Sequence, residues 1–122
     1  MKYYEKFPVS EDRPFYTGKF WPKGVPHKLD YDTSITVGEF FNNAVEKYGD
    51  DPAIWFLETW VTYKELKVMV DSLATYLQSI GVKKGDVVGV HLANSIQYVV
   101  SYYAITSIGA IITGINPTYK PL

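Results

Sequence analysis

The sequence predicts an α/β fold: a parallel βαβ unit towards the C-terminus, two amphipathic helices before it, and an irregular, aromatic N-terminal arm. Three observations predict it. Residues 87–92 and 111–115 are short apolar runs, and residues 96–108 between them are apolar almost all round. Strand, helix, strand at this spacing is a βαβ unit, which normally joins parallel strands by a right-handed crossover. Upstream, two segments carry apolar residues at steps of three and four behind a Thr-x-x-Glu pair, the pattern of a capped amphipathic helix. Residues 1–34 hold Pro8, Pro14, Pro22 and Pro26 with Gly18 and Gly24, too many fixed φ angles and missing donors for a long helix or a central strand.

The arm, residues 1–34, carries Tyr3, Tyr4, Phe7, Phe15, Tyr16, Phe20, Trp21 and Tyr31. Such a segment packs over a neighbouring surface of its own domain or of a partner subunit. An aromatic ligand cage or a stacking platform for single strands is the sharper alternative. Stacking on nucleic acid needs a basic groove, and Lys19, Lys23 and Lys28 are offset by Asp30 and Asp32.

Residues 35–122 are expected to form an incomplete α/β subdomain. Thr36 and Glu39 make a capping box, followed by Phe40, Phe41, Ala44, Val45 and Tyr48 at helical spacing. Gly49, Asp50 and Asp51 stop that helix and Pro52 closes the turn. Residues 53–57 read as a strand, with residues 60–62 as its hairpin partner. The connecting pair would then be Glu58-Thr59, a poor turn because neither residue favours positive φ. Thr62 and Glu65 cap the next helix. Its apolar stripe is Leu66, Met69, Val70, Leu73, Ala74, Leu77 and Ile80, and Gly81 is placed as its left-handed terminator. Lys83-Lys84-Gly85-Asp86 is a turn, solvated or phosphate-binding. A strand over 87–92 follows, Asn94 or Ser95 caps the helix 96–108, and Gly109 ends it. The strand 111–115 stops at Asn116-Pro117.

Composition narrows the function classes. The chain has 122 residues, 47% hydrophobic and 20% charged, ordinary values for one small globular domain. A net charge of −1 gives no electrostatic footprint for nucleic acid. There is no cysteine, hence no disulfide framework and no thiolate metal site, which fits a cytoplasmic protein. Glu5, Glu11, Asp12 and Arg13 with no apolar block do not make a signal peptide. Residues 96–115 are uncharged, but polar and glycine residues interrupt them, and they divide into helix plus strand rather than a membrane span of roughly 20 apolar residues.

Candidate chemistry is sparse. There is no G-x-x-x-x-G-K-[ST] loop and no G-x-G-x-x-G. His27 and His91 are the only histidines, and His91 has no second ligand at metal spacing. Ser95 is a helix cap rather than a nucleophile. No acid–base pair stands out, so the residues by themselves describe a soluble α/β domain fragment and go no further.

The order Val61-Thr-Tyr-Lys-Glu-Leu66, Gly81-Val-Lys-Lys-Gly-Asp86, Asn94-Ser95, Gly109-Ala110 and Ile115-Asn-Pro117 resembles the N-terminal region of the adenylate-forming acyl-CoA synthetases. That superfamily also holds firefly luciferases and peptide-synthetase adenylation domains. Residues 21–26 and 35–51 resemble the long- or medium-chain fatty acid ligase branch. The resemblance implies a partial N-terminal subdomain of an AMP-forming ligase. It implies a parent enzyme that takes a fatty acid, ATP, Mg2+ and CoA to acyl-CoA, AMP and pyrophosphate through an acyl adenylate. The family's phosphate and adenine motifs do not occur here. No catalytic or metal residue is therefore carried over, no cofactor is expected in this chain alone, and the isolated chain is expected to be inactive. Gly114, Ile115, Asn116 and Pro117 correspond to a segment that approaches the pantetheine tunnel; the plain alternative is a strand end with a turn. The expected partners are fatty acid, ATP and CoA for the parent, without nucleic acid or a membrane span. A homodimer or larger is also expected, through apolar surface around residues 111–115 and on the preceding helix, or through an exchanged arm. The rival readings are a stand-alone binding or assembly module, such as a truncated paralogue without catalysis, and a different adenylating activity.

Overall fold

A computed structural model describes residues 22–25 and 32–119. The chain divides into two units, Met1–Asp32 and Thr33–Leu122. In the first, the Val25 amide donates to the Pro22 carbonyl at 3.3 Å around Gly24. The rest of the expected arm, with His27, lies outside the described residues.

In the second unit, helix α1 (Val37–Tyr48) starts at Thr36 with both halves of the capping box. The Glu39 amide donates to the Thr36 hydroxyl at 3.2 Å and the Thr36 amide to the Glu39 carboxylate at 2.7 Å. Phe41 is buried and stacks on Tyr103 with ring centroids 4.3 Å apart, whereas Phe40 faces solvent. Gly49 ends α1 in a right-handed conformation. Its glycine is explained by space: a Cβ there would lie 2.8 Å from Cε of Lys64.

Strands β1 (Pro52–Phe56) and β2 (Thr59–Thr62) pair antiparallel, with Ile54 opposite Val61, Trp55 opposite Trp60 and Phe56 opposite Thr59. The hairpin is present, but its turn is Leu57-Glu58 rather than Glu58-Thr59, and both turn residues have left-handed φ, 45° and 63°. Burial sets this register, because a one-residue slip would move Val61 out of the core. The turn residues then adopt the conformation that a two-residue loop demands.

Helix α2 (Tyr63–Ser79) is capped by Thr62. Leu66, Val70 and Ala74 are buried, while Ile80, placed beyond the last turn, is exposed. The end is a Schellman motif: Val82 N–H donates to the Leu77 carbonyl and Gly81 N–H to that of Gln78, both at 3.0 Å, with Gly81 at φ 98°.

Strands β3 (Val87–Val90) and β4 (Ile111–Gly114) are parallel, from Val87 opposite Ile111 to Val90 opposite Gly114. Helix α3 (Ile96–Ser107) connects them and ends in a second Schellman motif at Gly109. Its apolar circumference is used on two sides. Val100 and Ala104 join Phe41, Val61, Leu66, Val70 and Ala74 in one core cluster, and Ile105 joins Val90 and Ala110 in another. The apolar exposure expected on this helix is therefore confined to Tyr102. The β3–β4 pair does expose Val87, Ile111 and the following Ile115.

Candidate functional site

Parallel strands end together. In open α/β sheets, ligands bind in the crevice outside the carboxyl ends of the strands. Here that edge consists of residues after Val90 and residues from Gly114 onward. Ile115 N–H donates to the Val90 carbonyl at 2.9 Å, which extends the pairing one step past β4. The chain then turns. The Asn116 side-chain oxygen accepts from the Thr118 amide and hydroxyl, both at 2.9 Å, and the Tyr119 amide donates to the Asn116 carbonyl at 3.1 Å. This is an Asx turn with proline at its second position, where a fixed φ is favoured. Gly114, Ile115, Asn116 and Pro117 are all exposed.

Two contacts shape the edge. A Cβ on Gly114 would lie 3.4 Å from the Tyr98 hydroxyl, and one on Gly89 would lie 3.1 Å from Cδ1 of Ile115. Tyr98 in the first turn of α3 thus roofs Gly114. Sequence reading missed this contact, since nothing in the spacing of Tyr98 and Gly114 marks it. Ser95 proves to be the cap of α3, accepting from the Tyr98 amide at 3.3 Å.

The other candidates do not converge on this edge. The Lys83–Asp86 turn lies at the amino end of β3. Its Lys83 amide donates to the Asp86 carboxylate at 2.9 Å, and the Lys84 stem covers Gly109. Asp50 is exposed and bonded to the Lys64 ammonium at 2.8 Å. His91 is exposed at the rim of an apolar cavity of about 240 Å³ between α2, β3 and α3 that also involves Leu73, Val90 and Ile105. A smaller cavity, about 160 Å³, lies against Phe41, Tyr63, Leu66 and Tyr103. Burial, and then the neighbouring Tyr102, pushes the Tyr103 hydroxyl above the usual phenol range, so it remains a neutral donor. Among the described residues, no three His, Cys, Asp or Glu side chains are grouped to hold a metal ion.

Comparison with known proteins places the chain in a family. The family described as AMP-binding enzyme matches residues 41–122. A long-chain-fatty-acid–CoA ligase of Yersinia pestis is 33% identical over 104 residues, 84% of this chain and 18% of the relative. That of Bacillus subtilis is 32% identical over 99 residues, 81% of this chain and 18% of the relative. The chain thus spans less than a fifth of the curated relatives it matches. The N-terminal subdomain of NpsA from Klebsiella oxytoca, solved in complex with 3-hydroxybenzoyl-AMSN, superposes with a TM-score of 0.68 at 27% identity, covering 70% of this chain and 22% of that one. The α/β unit is therefore that of the N-terminal subdomain of adenylate-forming enzymes, and the chain belongs to the AMP-binding enzyme family.

Proposed function

We propose that the chain is part of a fatty acid–CoA ligase. The observation that carries this reading is its identity to the Yersinia pestis long-chain-fatty-acid–CoA ligase, 33% over 84% of the chain. In such a reaction the fatty acid carboxylate attacks the α-phosphorus of ATP and pyrophosphate leaves. The CoA thiol then attacks the acyl carbon, and AMP leaves. The described residues do not fit a magnesium–nucleotide site, because they offer no grouped donors, and the chain has no glycine-rich phosphate loop. Phosphoryl chemistry depends on positioning and charge stabilisation, so the isolated chain is expected to turn over nothing.

Gly114, Ile115, Asn116 and Pro117 would instead form part of the wall of the passage for the pantetheine arm. The segment is exposed, and a Cβ at Gly114 would lie in van der Waals contact with the Tyr98 hydroxyl, so a larger side chain there would reach into the edge. The test uses the full-length protein that carries this segment. Fatty-acid-dependent exchange of pyrophosphate into ATP and thioester formation are both expected, and the absence of exchange would remove the ligase reading. Gly114→Val is expected to raise KM for CoA with exchange unchanged; an equal loss in both half-reactions would remove the wall assignment.

The exposed apolar residues Val87 and Ile111 favour a second reading, an assembly module that pairs with a full-length synthetase. The size of the native polypeptide decides between them: a band near 13.9 kDa favours the module, and a band several times larger favours the ligase.

A further inference from the structure

Trp55 and Trp60 oppose one another across the β1–β2 hairpin, with ring centroids 5.0 Å apart and planes 37° from parallel. They lie on the face opposite the Ile54–Val61 pair and are 52% and 60% exposed; Leu57 at the tip is 80% exposed. Core packing accounts for none of the three. The tip also holds Leu57 and Glu58 at φ 45° and 63°, a region that side chains with a Cβ avoid. The register that core burial imposes accounts for the turn conformation, but it does not account for a leucine projected into water beside two exposed indoles.

We infer that this hairpin is a membrane-surface anchor, with Leu57 entering the acyl boundary of a zwitterionic bilayer and the Trp55–Trp60 pair resting at headgroup level. Tryptophan prefers that level because its ring is apolar and its N–H needs a wet partner. Depth agrees. At about 3.3 Å per residue, the indoles stand two residues behind the tip, within the roughly 5–10 Å that interfacial anchors reach. Area argues against a second copy as occupant. Two half-exposed indoles and one leucine offer roughly 400 Å², about half of what one partner brings to a standard protein interface. Shape argues against a peptide, since the two rings close on each other and leave no slot for a proline or an aliphatic side chain. A bilayer requires neither a large rigid area nor a matching shape. Charge selects the lipid. Glu58 flanks the tip, Asp50 and Asp51 lie at the base, and the nearby Lys64 ammonium is engaged by Asp50 at 2.8 Å, so anionic headgroups are disfavoured. No helix among the described residues is long and apolar enough to cross a membrane. The proposal does not rest on the ligase reading.

The test is partition of the 122-residue chain onto phosphatidylcholine vesicles, followed by co-sedimentation and by tryptophan emission with bromine-labelled acyl chains as quencher. Co-sedimentation, a blue shift and quenching are expected, and the quenching is expected to disappear in Trp55→Phe/Trp60→Phe. Leu57→Glu, which leaves both rings in place, is expected to weaken partition about tenfold or more with an unchanged circular dichroism spectrum. Three results would overturn the anchor. The folded chain could stay in the supernatant. It could bind only vesicles containing phosphatidylserine and be released by salt. It could self-associate through Trp55 and Trp60 without binding vesicles, which would make a second copy the occupant.

Discussion

At Thr62 one residue both closes a strand and opens a helix. It is the last residue of β2 and the cap of α2, and its pairing with Glu65 satisfies backbone amides that the first helical turn leaves without partners. The Thr62 amide donates to the Glu65 carboxylate at 2.8 Å, and the Glu65 amide donates to the Thr62 hydroxyl at 3.2 Å. The first of these bonds, with a smaller contribution from the hydroxyl, holds the Glu65 carboxyl below the usual carboxylate range. A carboxyl whose pKa is lowered on folding contributes stability that is present above its unfolded pKa and is lost as pH falls through the folded value. Thermal melts across the acidic range should therefore show Glu65→Gln with a shallower loss of Tm than the parent chain, because glutamine retains the acceptor and removes the titration. Thr62→Ala should cost about 1 kcal/mol at neutral pH in denaturant titration. This residue pair was legible in the sequence because a capping box is a local motif, complete within four positions. The roofing of Gly114 by Tyr98 was not, because it depends on how α3 crosses β4.

Elements add a constraint that no single residue carries. The β1–β2 hairpin places Ile54 and Val61 in contact with the core, and that burial forces Leu57-Glu58 into a two-residue turn of left-handed residues. Asn-Gly at these two positions relieves the strain, at a partial cost in unfolded-state entropy. Leu57→Asn/Glu58→Gly should raise stability by about 1 kcal/mol in a denaturation midpoint, while also removing the leucine that the proposed anchor uses. Higher stability with lower vesicle partition in one variant is the expected trade between fold and function. Helix α3 shows the opposite case. Ala104 is fully buried, among α1 and α2 residues of the main cluster, so Ala104→Leu should overpack it and cost about 1–3 kcal/mol by the same measurement. The helices, the parallel strands and both glycine terminators could be read from periodicity, capping and turn chemistry, all of which act within one or two turns of chain. The hairpin register lies one residue from the sequence reading because the apolar run includes Leu57, which core burial of Ile54 and Val61 places in the turn, 80% exposed.

Across the whole molecule, the two-stranded parallel sheet is the feature least accounted for by the chain's own packing. Parallel strands are ordinarily covered on both faces. Here Val87 is 65% exposed and Ile111 54%, while α3 and the residues after α2 pack against Val88, Val90 and Ile112 on the other side. In relatives of which this chain spans 18%, further structure is available to cover such a face, and a second molecule is another cover. Light scattering across a dilution series should therefore show a concentration-dependent dimer or larger species, and Val87→Lys/Ile111→Lys should shift it towards monomer. Both side chains are more than half exposed, so the paired substitution should leave Tm within a few degrees of the parent chain. That separates loss of association from loss of folding. A monomer at every concentration would mean that the exposed face is tolerated in water. A dimer unaffected by the two lysines but lost in Trp55→Ala/Trp60→Ala would move the contact to the hairpin, and the same result would count against the lipid anchor proposed there.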